Sequence, residues 1–172
     1  MRFHSITAAG AALLAGLAFG APAAQAATAT TNFTVTLTVL NQCVVAATPM
    51  AFGSLALVGG TGGQATNVLT VTCTAGTPFT IGLNQGTAPT ATIATRLMRG
   101  PVPATTSTVA YSLYQDAART ILWGNTTETQ VNGGTATGLP QNFTVYGQIL
   151  GGQGVAPAGA YTDTVTVTVT YP

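Results

Sequence analysis

The stretch Gly-Ala-Tyr-Thr-Asp-Thr-Val-Thr-Val-Thr-Val-Thr-Tyr-Pro, residues 159–172, decides the fold that the sequence predicts. From Tyr161 to Tyr171 the apolar residues share one parity, which only Asp163 breaks, and threonines fill the other parity. Since side chains alternate between the two faces of a strand, the pattern predicts one long β-strand with an apolar face and a hydroxyl face. The sequence ends with this strand, so we expect any further neighbour to come from elsewhere in the chain or from another molecule. A strand edge that lacks such a neighbour promotes association.

The beginning of the chain has the pattern of a secretory signal peptide. Arg2 supplies a positive charge, residues 6–19 form an apolar run, and Ala24-Gln25-Ala26 is a cleavage site of the A-x-A type. The apolar run is shorter than the ~20 residues of a membrane-spanning helix, and an uncleaved anchor is the alternative. We therefore predict that residues 1–26 are removed and that the mature chain forms one exported domain.

The mature chain is almost free of charge. Charged residues make up 4% of the sequence, against about 25% in ordinary globular proteins. Outside the signal they are three arginines and three acids, namely Arg96, Arg99, Arg119, Asp116, Glu128 and Asp163. This balance excludes a basic footprint for nucleic acid, and a net charge near zero favours association. It is typical of a subunit whose normal state is an assembly.

Two cysteines, Cys43 and Cys73, are the candidates for a covalent cross-link. An even cysteine count in an exported chain indicates a disulfide, which would close a loop of about 30 residues and contribute about 3–4 kcal/mol. The only histidine, His4, lies in the signal peptide. We therefore expect no metal site, no nucleophile–histidine pair and no cofactor.

The three carboxylates are the remaining candidates for catalysis. A glycosidase uses two of them, but Asp116 stands beside Arg119 in a predicted turn, Glu128 is in a predicted loop and Asp163 begins the last strand. A turn cap or a surface charge is the simpler interpretation of each. Trp123 and the five tyrosines could stack on sugars, and packing in the core or at an edge is again simpler. We therefore predict that the protein is not an enzyme and has no small-molecule substrate.

Short alternating segments, separated by turns rich in glycine, proline and asparagine, run through the mature chain. Residues 32–40 alternate most regularly, with apolar residues on one face and threonines on the other. Further strands are predicted at residues 67–74, 79–83, 109–113 and 143–147, with an irregular strand at residues 96–98 and a loop at residues 132–134. No segment after the signal has a helical period. Many short strands with turn signals predict an all-β sandwich.

An ordered series of short motifs is spread over nearly the whole mature chain. It includes Cys43, Phe52-Gly53, Val71-Thr-Cys-Thr74, Leu83-Asn84, Tyr111-Ser-Leu-Tyr114, Trp123-Gly124, Val145-Tyr-Gly147, Gly159-Ala-Tyr161 and Asp163-Thr-Val165. In this order the motifs resemble the spore coat protein U domain family, which includes the subunits of archaic (Csu-type) chaperone–usher pili. Pilin terminal strands typically have a glycine fourteen residues from the end and a penultimate tyrosine, and Gly159 and Tyr171 match both positions.

The resemblance implies an immunoglobulin-like sandwich, residues 42–172, that is incomplete and is completed by a donor strand. A periplasmic chaperone would first fill the groove by β-augmentation. At the outer-membrane usher, residues 27–41 of another pilus subunit would replace the chaperone. The implied donor residues are Phe33, Val35, Leu37 and Val39, and the implied groove residues are Gly159, Tyr161, Val165, Val167, Val169 and Tyr171. The expected product is a fibre on the cell surface, exported through the periplasm and serving adhesion and biofilm formation.

Three alternatives stay open at this point. Residues 32–40 could form the first strand of their own domain instead of a donor strand. The protein could be a secreted spore-coat or matrix protein that folds as a complete monomer, or a sugar-binding module that uses exposed aromatic side chains. If the segment is a donor, it is short, and we expect a tight joint between subunits in a compact rod or zigzag. No second domain is evident, which favours a shaft or minor subunit over a tip adhesin.

Overall fold

The computed structural model describes residues 25–101 and 107–172. The chain divides between Leu37 and Thr38 into two units, and the strands of the described residues all lie in the second unit. The predicted signal peptide lies outside the described residues except for its last two positions. Along residues 25–101 and 107–172, no helix is long and apolar enough to cross a membrane.

The described part of the chain forms two antiparallel sheets. Its strands are β1 (Cys43–Ala47), β2 (Gly62–Cys73), β3 (Pro78–Leu83), β4 (Arg96–Arg99), β5 (Thr108–Tyr114), β6 (Val131–Thr135), β7 (Gln141–Leu150) and β8 (Val167–Thr170). One sheet has the order β1-β2-β7-β5-β4 and the other has the order β6-β3-β8. The predicted all-β sandwich is confirmed.

The core lies between the inner faces of the two sheets and follows from the alternation of the sequence. In β5, Val109, Tyr111 and Leu113 are buried, and the residues between them are partly exposed. The same period of two runs through β2, β3 and β7 and places one apolar row of each strand inside. The remaining core residues are Leu69, Val71, Cys73, Phe79, Ile81, Leu83, Trp123, Ala136, Val145 and Ile149.

The terminal stretch differs from the prediction of one long strand. Only Val167–Thr170 form a strand, and upstream of it Thr162 makes an isolated bridge to Arg99 of β4. The stretch therefore begins beside one sheet and ends in the other, and a chain that changes sheets cannot keep one continuous ladder. The predicted alternation is nevertheless present, because the threonines are exposed and Val165, Val167 and Val169 are partly buried.

Two further segments differ from the sequence predictions. Residues 132–134 were expected to form a loop but belong to β6, where the ring of Phe79 occupies the space that a side chain on Gly133 would need. Residues 25–42 contain no strand, so the first strand of the domain is β1 and not residues 32–40.

Candidate functional site

Two sheet edges without a further strand lie beside each other at one side of the sandwich. Within residues 25–101 and 107–172, β1 pairs only with β2, and β8 pairs only with β3. β1 and β8 are in contact, but no strand pairing in the described chain joins them. The gap between β1 and β8, which we call the groove, is where the sandwich is incomplete.

The inner apolar rows of the two sheets lose their cover at the groove. Val45 lies opposite Val71, so the two side chains share the inner face of their sheet. Val71 is 0% exposed, whereas Val45 is 41% exposed. On the other wall, Val169 lies opposite Ile81, and Ile81 is buried while Val169 is only partly buried. Each wall thus presents inward-pointing valine side chains that are incompletely covered.

The backbone of β1 also faces the groove. The N–H of Thr74 donates to the C=O of Gln42 at 2.9 Å, which makes these two residues a hydrogen-bonded pair at the start of the β1–β2 ladder. In an antiparallel ladder every second residue turns its N–H and C=O groups away from the partner strand. In β1 these residues are Cys43, Val45 and Ala47, so their backbone groups point towards the groove.

The same alternation of backbone groups applies to the opposite wall. The N–H of Asn84 donates to the C=O of Thr166 at 3.1 Å, at the start of the β3–β8 ladder. Val167 and Val169 are therefore the residues whose N–H and C=O groups point away from β3 and into the groove. Because both walls offer backbone donors and acceptors together with apolar side chains, the groove has the chemistry that accepts an extended strand.

A disulfide fixes the β1 wall. Cys43 and Cys73 are joined (S–S 2.02 Å) across the β1–β2 pair, as the cysteine count predicted. β1 has five residues and one neighbouring strand in the described chain. The covalent bond therefore holds this short edge strand on β2, the long strand next to it.

The chain reaches the β8 wall by crossing from the other sheet. Thr162 and Arg99 exchange two backbone hydrogen bonds of 2.8 and 2.9 Å at the edge of β4. At the crossing, Asp163 accepts hydrogen bonds from the hydroxyl of Tyr111 at 2.7 Å and from the N–H and hydroxyl of Thr87 at 2.9 and 2.8 Å. Burial, followed by the bond to Asp163, raises the pKa of Tyr111 above its ordinary value, so the hydroxyl keeps its proton. Asp163 is therefore a polar anchor of the crossing, a role that goes beyond the turn cap or surface charge that we expected.

Arg96 is a second polar anchor, and its side chain is fully buried. Its guanidinium donates to the backbone C=O groups of Asn84 at 2.8 Å, Ile93 at 3.0 Å, Leu83 at 3.1 Å and Trp123 at 2.7 Å. Burial lowers the pKa of Arg96 to about 10, so the side chain stays charged at neutral pH. Because Arg96 belongs to β4 and Leu83 to β3, these bonds join the two sheets.

The groove has two different ends. At one, which we call the arm end, lie Cys43 of β1 and Thr170 of β8, because β2 and β3 meet there in a turn and each pairs with its edge strand. At the other, the loop end, β1 leads to Met50 and Phe52, and the terminal stretch contributes Tyr161. These three side chains help to line a cavity of about 970 Å³. β1 and β8 therefore run in opposite directions along the groove.

The predicted donor residues are exposed. Phe33, Val35, Leu37 and Val39 have exposed fractions of 85, 80, 86 and 70%. They lie in a segment without regular secondary structure, residues 25–42, whose part before Leu40 we call the arm. Contiguous exposed apolar surface of this kind marks an interaction site more often than a free surface.

The root of the arm is bound to the arm end of the domain. The N–H of Gln42 donates to the hydroxyl oxygen of Thr74 at 3.2 Å, and that hydroxyl donates to the C=O of Leu40 at 3.1 Å. Thr77 is fully buried and donates from its hydroxyl to Oδ1 of Asn41 at 2.9 Å. The three residues before β1 are thus fixed to the turn between β2 and β3.

The structure brings most of the predicted groove residues into one row. Val165, Val167 and Val169 are partly buried against the core, and Tyr171 follows at the arm end with 39% exposure. Gly159 lies apart from them at the cavity, where its φ of +152° favours glycine and the ring of Pro101 leaves no room for a side chain. Sequence reasoning missed the β1 wall, which only the shared parity of Cys43, Val45 and Ala47 could have indicated.

The other candidate sites take structural roles. Asp116 accepts hydrogen bonds from the N–H groups of Ile121 at 2.8 Å and Thr120 at 3.0 Å, which caps its turn and lowers the pKa of its carboxyl group. Trp123 is 1% exposed, and its Nε1–H donates to the C=O of Ile81 at 2.9 Å. The alternative that a sugar stacks on Trp123 is therefore wrong. In the described ranges, no three His, Cys, Asp or Glu side chains gather into a metal site.

Comparisons with known proteins agree with this geometry. The family model described as the Spore Coat Protein U domain matches residues 29–168. The chain is 42% identical over 108 residues to "Protein U" of Myxococcus xanthus, a match that covers 62% of this chain and 59% of that protein. Among solved structures, the CsuC–CsuE chaperone–tip adhesion subunit pre-assembly complex from the archaic chaperone–usher Csu pili of Acinetobacter baumannii is similar, with a TM-score of 0.57 and 26% identity. That match covers 77% of this chain and 40% of the solved chain.

Proposed function

Because the chain belongs to the Spore Coat Protein U domain family, we propose that it is a structural subunit of a chaperone–usher pilus, completed by a strand from the next subunit. The groove between β1 and β8 carries this proposal, since its walls have incompletely covered valines and backbone groups directed into the gap. The similarity to a chaperone-bound Csu subunit supports it. In this proposal the protein is exported through the periplasm to a surface fibre that serves adhesion and biofilm formation, and it catalyses no reaction.

The arm fits the groove in length and period. Its apolar residues Phe33, Val35, Leu37 and Val39 alternate over seven positions, and the groove row from Val165 to Tyr171 alternates over the same number. An extended arm would therefore place one apolar side chain over each position of the row. Its threonines would point outwards, like the exposed threonines of β8.

The energy of such a joint is large. At roughly 1.5–3 kcal/mol for each buried apolar side chain, the four residues of the arm contribute about 6–12 kcal/mol, to which the backbone hydrogen bonds add. A chaperone strand that fills the groove first would keep the subunit folded until the usher brings the next arm. We therefore expect the finished joint to dissociate very slowly.

The direction of the donated strand follows from the two ends of the groove. A donor parallel to β8 would leave the groove at the arm end, where its own domain would occupy the place from which the acceptor's arm emerges. A donor antiparallel to β8 leaves at the loop end and lets the chain of subunits continue. We infer the antiparallel arrangement.

Removal of the arm tests the proposal. A chain without residues 27–39 keeps both groove walls, so we expect it to form a stable complex with the chaperone but no fibre. A synthetic peptide of residues 28–42 should displace the chaperone from this complex. The matched control is a peptide of equal length and composition in which the apolar residues are grouped together, so that no register presents them at alternate positions. Fibres from the truncated chain, or equal displacement by both peptides, would refute the donor role.

A second candidate is a secreted coat protein that folds as a complete monomer, which the family description and the similarity to Protein U favour. The two functions differ in the state of the purified protein. A complete monomer elutes as a single species by size exclusion without any chaperone. A pilus subunit gives a ladder of oligomers on an unheated denaturing gel, which heating collapses to one band.

A further inference from the structure

Each end of the domain carries exposed apolar side chains that the joint described above does not use. At the loop end, Val58 is 79% exposed and Val155 is 98% exposed. The two loops touch, because Val58 packs against Gly154. They border the cavity of about 970 Å³, which Val58 also lines. This end is therefore both apolar and concave.

The arm end carries a second apolar patch. Leu139 is 67% exposed and Leu40 is 76% exposed. Gly138 lies beside Ala75 in the turn between β2 and β3, and Thr74 of the same turn holds the C=O of Leu40. Leu40 and Leu139 thus belong to neighbouring loops around one turn.

The antiparallel arrangement brings these two ends together in successive subunits. A donor strand that leaves the groove at the loop end continues directly into Leu40 and its own domain. The donor's arm end must then lie next to the acceptor's loop end, because only Leu40, Asn41 and Gln42 separate the arm from β1, and hydrogen bonds fix all three. The inference rests on the proposed function in this step.

We propose that the loop end of each subunit is a socket for the arm end of the next copy of this chain, with Val58, Val155 and the adjoining cavity receiving Leu40 and Leu139. The contact is heterologous, since two different surfaces meet, and it repeats along a fibre. Residues 53–61, 136–140 and 151–160 contain no charged side chain. Contact between the two ends therefore carries no free-energy cost of removing charged side chains from water. The socket sets the angle between successive subunits, which the donated strand alone does not determine.

Cysteine cross-linking tests this contact in assembled fibres. A chain with Leu139→Cys and Val155→Cys carries one thiol at each end, and the control combines Leu139→Cys with Thr168→Cys, which lies on the exposed face of β8. Fibres are oxidised with glutathione disulfide and then heated in detergent without reductant, so that only covalent oligomers survive. We expect at least a tenfold greater yield of covalent oligomers from the Leu139/Val155 pair than from the control. Equal yields from fibres of normal length would overturn the socket.

Isosteric substitution gives a second, independent readout. Val58→Thr with Val155→Thr makes the loop end polar without changing its volume or the groove. We expect the unheated ladder to be unchanged and the distribution of angles between successive subunits, seen by electron microscopy, to become at least twice as wide. An unchanged ladder with unchanged angles overturns the socket alone. Failure of the wild-type chain to form any ladder overturns the proposed function itself.

Discussion

Leu37→Ala tests the joint most directly, because it changes the arm and leaves the folded domain untouched. Leucine exceeds alanine by three carbon atoms, which contribute about 2.4 kcal/mol when fully buried at about 0.8 kcal/mol per CH₂. Leu37 is 86% exposed before assembly, so nearly all of this burial is gained in the groove. We therefore expect the joint to lose about 2 kcal/mol, which corresponds to roughly 30-fold faster dissociation.

The matched control is Thr36→Ala, which also replaces a strand-forming residue with alanine but on the opposite parity. Thr36 would face solvent in the assembled joint, so we expect its dissociation rate to change by less than about threefold, the effect of surface substitutions. The assay follows the decay of the unheated ladder after dilution into a fixed concentration of guanidinium chloride. Equal acceleration by the two substitutions, or none by Leu37→Ala, would show that the arm does not enter the groove with the inferred parity.

Three further predictions concern the domain itself. Val169→Asp places a carboxylate in the inner row of β8, and we expect recovery of the chaperone complex to fall at least 100-fold. The control Thr168→Asp points outwards, so recovery should stay within about twofold of the wild-type value. Arg96→Met leaves four carbonyl acceptors without their donor, and thermal unfolding should report a loss of about 3 kcal/mol. Hydrogen bonds, first from Ile121, lower the pKa of Asp116, so its stabilisation is present above the unfolded pKa of about 4 and disappears as the pH falls through the folded value. The difference in Tm between wild type and Asp116→Asn should therefore close in acid, and a difference that persists at about pH 2 would contradict this role.

The fold was largely predictable because its signal is local. Alternating residues such as Val109, Tyr111 and Leu113 define a strand and its buried face without reference to distant residues. The disulfide followed in the same way from the presence of two cysteines in an exported chain. The extent of the last strand was not predictable, since Thr162 and Val167 pair with strands of different sheets, and the pattern of one segment contains no information on its partners.

The candidate site was predictable only on one side. The row from Val165 to Val169 has strong alternation, but the opposite wall is the short β1, where Val45 is the one large apolar residue on the inner face after Cys43. Its role depends on pairing with Val71, which lies 26 positions away in the sequence. Arg96 was equally hidden, because three of the four carbonyl groups that bind it belong to Leu83, Asn84 and Trp123, which are distant in the sequence, and no acid near it in the sequence marks it as buried.

The position of the Cys43–Cys73 disulfide has a mechanical consequence for a fibre under tension. A pull on the arm first loads the hydrogen bonds that fix Leu40, Asn41 and Gln42 to the turn between β2 and β3, and the Cys43–Cys73 bridge then carries it covalently from β1 to β2. From Cys73 the turn leads into β3, which begins at Pro78 and pairs with β8, one of the two walls that would hold the next arm in the proposed joint. One route for force in the proposed fibre is therefore a short path of covalent bonds and the β3–β8 strand pair. In the proposed fibre we therefore expect tension to open the joints between subunits before it unfolds the sandwich.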